Sequence, residues 1–184
     1  DDIVTHRQLM GIPLQPCDLD FTTCLYRYEK PASPHLSVKL ANAVLDFKII
    51  TKSTQQLQQS YDAVLLEGAG GLLVPITEQL LTLDYIAEQG YPVILVTSGR
   101  LGSINHTLLS LEAIKARGLT LHSVIYNHIH DNAAQTDDEI ANSTIDYLKN
   151  YLARHYPNSY WLQMAQQTNS TIGNDSLALP PDFI

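Results

Sequence analysis

The stretch Asp62-Ala-Val-Leu-Leu-Glu-Gly-Ala-Gly-Gly-Leu-Leu-Val-Pro-Ile76 decides the fold class of this chain. Val64, Leu65 and Leu66 form the uninterrupted apolar run expected of a strand covered on both faces, so the pattern predicts a buried parallel strand over 63–66. Glu67 would stand at its C-terminal end, where open α/β sheets place their ligands. Gly68, Gly70 and Gly71 let the backbone turn and approach a bound group closely. A carboxylate in such a place suits a divalent cation or a reacting amine. The alternative is a tight strand-to-loop turn with a solvated glutamate.

Outward from this segment, two more runs rich in Val, Ile and Leu predict strands over 92–97 and 121–126. Helical patterns alternate with them at 79–89, 104–117 and 134–155, with Gly118 as a stop for the second. Strand alternating with helix means βαβ units and a mostly parallel α/β sheet. The first third is broken by Pro13, Pro16, Pro31 and Pro34. Helical patterns there begin in progress at Asp2, start at Ser33-Pro34 and continue over 37–45, and include a short polar helix at 55–59. The tail 168–184 reads as irregular. No repeat or linker divides the chain, so one domain over 1–184 is expected.

The 184 residues suffice for a full hydrophobic core. A net charge of −8 without any Lys/Arg run argues against broad binding to nucleic acid or an anionic membrane. No apolar run is long enough to span a bilayer, and no signal peptide is visible. Cys17 and Cys24 form neither a CxxC nor a disulfide framework, which fits a reducing, cytoplasmic setting.

Three further groups of residues could carry chemistry. Arg100-Leu-Gly-Ser-Ile-Asn-His106 follows the second strand and opens a helix. Gly102, the backbone N–H groups of Ser103 and Ile104, and the amide of Asn105 would face a carboxylate or phosphate, or else simply start a helix. Asn127 ends the third strand, either as an amide reading a purine edge or as an Asx turn. His128, His130 and Asp131, with His122 nearby, raise a metal site, against which stands a surface loop with polar histidines. No glycine is followed by lysine, so the chain contains no G-x-x-x-x-G-K-[ST] phosphate loop.

Taken together, Glu67-Gly-Ala-Gly-Gly71, Arg100-Leu-Gly-Ser-Ile-Asn-His106, Ser33-Pro34-His35 and Asn127 resemble dethiobiotin synthetase. The resemblance runs from Asp2 to about Asn127. It implies a doubly wound, three-layer fold of the P-loop NTPase type and a homodimer with its site at the subunit interface. It implies an ATP- and Mg2+-dependent ligase that makes the cyclic urea of dethiobiotin from CO2 and 7,8-diaminononanoate. Carried over by position, Asp2 and Glu67 look like the catalytic, metal-binding carboxylates. Asn127, Glu67 and Gly70 look like nucleotide-binding residues. Gly71, Gly102, Ser103 and Asn105 look like substrate-binding ones, the last three reaching the diamine's carboxylate in the other subunit.

Two departures go with the resemblance. The family's phosphate loop would precede Asp2, so the chain is expected to be an N-terminally truncated piece, inactive alone without that loop. Pro157-Asn-Ser-Tyr-Trp-Leu162 lacks the family's Gly-Glu-Ile-Pro pattern at the adenine pocket. Two other readings stay open. One is a related ATP-dependent amidoligase of the cobyrinate diamide type, which would add a glutamine-handling domain that nothing here resembles. The other is a non-catalytic relative that binds ligand or partner.

Overall fold

A computed structural model describes residues 2–30, 32–128, 138–165, 179–180 and 182–183. The chain divides into two compact units, Asp1–Tyr85 and Ile86–Ile184.

The first unit is helical. It holds α1 (Asp2–Leu9), α2 (Pro16–Leu19), α3 (Pro34–Leu40), α4 (Phe47–Gln58) and the start of α5 (Thr82–Gln89). Pro34 occupies the first turn of α3, where its missing N–H costs nothing, although the Ser33 hydroxyl makes no cap bond. That helix ends at Leu40, short of the expected 45, because Asn42 turns left-handed and Val44 is left exposed. The polar run at 55–59 is the end of the longer α4, whose N-terminus is capped by the Asp46 side chain accepting from the Lys48 N–H. Thr51 and Tyr85 share a hydroxyl hydrogen bond of 3.0 Å, and the Phe47 ring packs edge-on against Tyr85. Leu83 and Tyr85 are buried beside them.

One expectation fails here. Residues 63–66 form no strand. A parallel strand exists only by hydrogen-bonding to a neighbour, and these residues make no backbone hydrogen bond among the described residues. Leu65 is accordingly 82% exposed rather than buried. The helix expected from 79 starts only at Thr82, because Ile76 and Thr77 donate to the Leu80 carbonyl and Pro75 bridges Leu81.

The second unit is a βαβαβ run: β1 (Val93–Ser98), α6 (Ser103–Ala116), β2 (Leu121–Asn127), α7 (Asp138–His155) and β3 (Tyr160–Met164). The strands are parallel in the order β1-β2-β3. As the middle strand, β2 is the most buried, with Ser123 and Tyr126 fully enclosed and Val124 at 1% exposure. Leu111 and Ile114 of α6 and Ile145, Leu148 and Leu152 of α7 complete the core. Gly118, at φ +64, ends α6 as its position suggested. The Tyr156 hydroxyl donates to the Leu111 carbonyl and the Ser159 hydroxyl to that of Leu121, which sets the start of β3 beside β2. β3 was not expected from the pattern, since Tyr-Trp-Leu-Gln-Met is too short and mixed to declare itself. Residues 134–137 of the third expected helix lie outside the described residues, as does most of 168–184. No helix among the described residues is long and apolar enough to cross a membrane.

Candidate functional site

The glycine turn keeps the geometry that its residues suggested, even without the strand before it. Gly70 adopts φ +93, a conformation that side chains with a Cβ rarely reach. A Cβ there would come within 3.0 Å of Val74 Cγ2. The turn closes on the start of α5: the Thr82 N–H and hydroxyl both donate to the Val74 carbonyl, and the Leu83 N–H donates to that of Leu72. Gly70→Ala is therefore expected to destabilise the chain by about 1–3 kcal/mol through backbone strain and the Val74 clash. Urea unfolding checks this, and an unchanged midpoint would show that the turn yields.

Glu67, beside this turn, extends to helix α1. Its Oε2 lies 3.6 Å from His6 Nε2, and both side chains are largely solvent-facing. Asp2 precedes His6 by one helical turn, so both residues lie along the same side of α1. The first unit thus brings Glu67 to the helix that carries Asp2. His6 was not singled out in the sequence, where one histidine in a polar helix gives no signal.

Helix α1 is tied to α2 by an ion pair whose carboxylate is buried. Arg7 donates from Nε and Nη2 to the two carboxylate oxygens of Asp18, at 2.8 and 2.9 Å. Asp18 also accepts from the Gln15 N–H at 2.7 Å and the Thr23 hydroxyl at 3.0 Å. Its side chain is 1% exposed. Arg7 is the main cause that holds the Asp18 carboxyl well below its ordinary value, at about 2, against the opposing effect of burial. Nothing local marks two oppositely charged residues eleven apart as partners.

The other candidates lie in the second unit, at the C-terminal edge of its sheet. Ser98, Asn127 and Met164 end the three strands in one row of the register. Gly102, at φ +86, precedes the first residue of α6. Ser103 is buried, and its N–H donates to the Arg100 carbonyl at 2.9 Å. That bond takes it out of the pair of N–H groups expected to face a ligand. The N–H groups of Ile104 and Asn105 have no backbone acceptor among the described residues. Asn127 and the start of α6 therefore share the end of the sheet at which open α/β folds bind ligands.

Of the histidine group, the two described members, His122 and His128, do not meet. His128 meets the Gln163 amide at 3.2 Å and the Tyr126 ring edge-on. His122 lies at the opposite end of β2, about 20 Å away by strand rise, against Tyr160 and Phe183. His130 and Asp131 lie outside the described residues. No group of three or more His, Cys, Asp or Glu side chains among the described residues could hold a metal ion.

A family model described as an AAA domain matches residues 20–170. The ATP-dependent dethiobiotin synthetase of Chlorobaculum tepidum is 49% identical over 155 residues, 84% of this chain and 63% of its own length. Those named BioD 2 are 46% identical over 159 residues in Pasteurella multocida and 48% over 166 residues in Haemophilus ducreyi. These cover 86% and 90% of this chain and 73% and 77% of the relatives. The chain belongs to the dethiobiotin synthetase family.

The chain spans between 63% and 77% of the length of these three relatives. With the parallel sheet of the second unit, membership gives it an α/β fold of the P-loop type. The family match crosses both compact units, from the end of α2 to beyond β3.

Proposed function

We propose that the protein is an ATP- and Mg2+-dependent ligase that closes the cyclic urea of dethiobiotin from CO2 and 7,8-diaminononanoate. The observation that carries this reading is near-half identity to named dethiobiotin synthetases over 84–90% of the chain. A match that runs through both units supports reading 1–184 as one functional domain. The same likeness supports a homodimer and a cytoplasmic enzyme of biotin synthesis.

In the reaction, one amine of the diamine attacks CO2 to give a carbamate. A carbamate oxygen attacks the γ-phosphorus of ATP and ADP leaves. The second amine then attacks the carbamate carbon and expels phosphate. Asp2 and Glu67 are hard oxygen donors and fit magnesium, which commonly takes one or two protein carboxylates and completes its shell with water and phosphate. When bound, the metal would supply charge neutralisation for the phosphates. Gly70 and Gly71 bring backbone close to the phosphate and substrate space. Gly102, Ser103 and Asn105 form the turn that meets the distal carboxylate of the diamine bound in the other subunit. For this role the Ile104 and Asn105 N–H groups are the available donors. Asn127, donor and acceptor at once, reads the adenine edge.

The test is the full-length protein given ATP, magnesium, bicarbonate and the diamine. Dethiobiotin and ADP should form in equal amounts. ADP without dethiobiotin would overturn the reading and leave an ATP-cleaving enzyme of another kind, and neither product would leave a ligand-binding relative.

A further inference from the structure

The start of α6 is latched to β1 by a pair of hydroxyls. Thr97 Oγ1 and Thr107 Oγ1 lie 2.6 Å apart, and Thr107 is 4% exposed. Ser103, Thr107, Leu111 and Ile114 form the buried stripe of α6, spaced four, four and three residues apart. Thr107 thus places a hydroxyl where an apolar side chain would serve packing. A buried hydroxyl is costly unless it finds a partner, and its partner here is on the strand that leads into Arg100–Asn105. A Val–Val pair of the same shape would stabilise the core about equally well, because replacing both partners of a buried hydrogen bond by apolar groups is close to neutral. What the hydroxyl pair adds is direction. A short hydrogen bond fixes both the rotation and the axial offset of α6 against β1. The N–H groups of Ile104 and Asn105 lie within the turn just before Thr107, so their aim follows that fit.

We propose that Thr97 and Thr107 are positioning residues for diamine binding. They hold the first turn of α6 where its free N–H groups meet the substrate's carboxylate. This inference rests on the functional reading above, in which that turn binds the diamine. In this role both threonines act through the turn and not on the substrate.

The experiment uses the full-length protein carrying Thr97→Val and Thr107→Val together, beside Thr97→Ser with Thr107→Ser, which restores both hydroxyls. The valine pair should raise KM for the diamine about tenfold, on the scale of a sub-ångström misplacement. The kcat, the KM for ATP and the urea midpoint should stay near wild type. Amide hydrogen exchange of the 100–107 segment should quicken, and the serine pair should return both KM and exchange toward wild type. Unchanged diamine KM and unchanged exchange would overturn the proposal. So would a general loss of stability that serine does not repair, since that marks a packing role only. Wild-type protein that makes no dethiobiotin would sink the functional reading itself. The exchange comparison then still decides whether the hydroxyl pair orders the turn.

Discussion

Glu67→Gln is expected to lower the proposed ligase turnover of the full-length protein by about a hundredfold or more while leaving its stability unchanged. In the role proposed for Glu67, the size is that of removing a charged group that faces developing and transferred phosphoryl charge. The stability claim follows from the structure: the Glu67 side chain is 77% exposed, and the His6 ring 3.6 Å from it is itself 46% exposed. A surface pair of this kind contributes little to folding. Glutamine keeps the volume and removes the anion, so the measurement is turnover across a magnesium titration, beside a urea melt. In the role assigned to Glu67, the defect is largest at limiting magnesium. Equal turnover at every magnesium concentration would remove Glu67 from the metal, and a lowered urea midpoint would mean that the carboxylate is structural.

The largest effect on stability is expected at Asp18. Asp18→Asn leaves the Arg7 guanidinium without its bidentate partner in a place where the carboxylate was 1% exposed. Breaking a buried pair from one side costs about 3–5 kcal/mol, and the lower end applies because Arg7 is one-fifth exposed and water can reach it. The pH dependence has a definite sign. The folded carboxyl is held at about 2, below its ordinary 3.8, chiefly by the Arg7 hydrogen bonds. Its contribution is therefore complete above the ordinary value and is lost as pH falls through about 2. The shift corresponds to roughly 2 kcal/mol. Urea midpoints of wild type and Asp18→Asn between pH 6 and pH 2 check both statements. The two proteins should differ most at pH 6 and converge toward pH 2. Parallel curves would mean that the pair contributes nothing that titrates.

The helix that Asp18 clamps is the one that carries Asp2, the metal ligand in the proposed reading, and His6. None of this was readable along the chain. Arg7 and Asp18 are eleven residues apart in a proline-broken region, and no spacing rule joins them. His6 beside Glu67 is a contact across sixty-one positions. Thr97 and Thr107 are only ten apart, yet nothing in a threonine on a strand and one on a helix announces that their hydroxyls meet.

The candidate residues themselves were legible, because they sit in short motifs whose physics is local. A glycine that needs φ +93 must be a glycine, and Gly70 shows itself as one of three in four residues. The same holds for Gly102 ahead of α6. The elements β1, α6 and β2 were readable too, since β-branched runs and helical spacing record which faces must be buried.

The apolar run at 63–66 marks where that kind of reading stops. Its composition is that of a buried strand, and yet Leu65 is exposed and its backbone makes no ladder among the described residues. Short β3 is the converse case: its sequence is ambiguous, and it becomes a strand because β2 offers it a free edge from Ser123 to Asn127. Composition decided which segments could bury a face and which turns required glycine, since both depend on a few neighbouring residues. Strand pairing, the Arg7–Asp18 clamp and the hydroxyl latch were decided only in the folded chain, because each needs a hydrogen-bond partner that distant residues must bring into place.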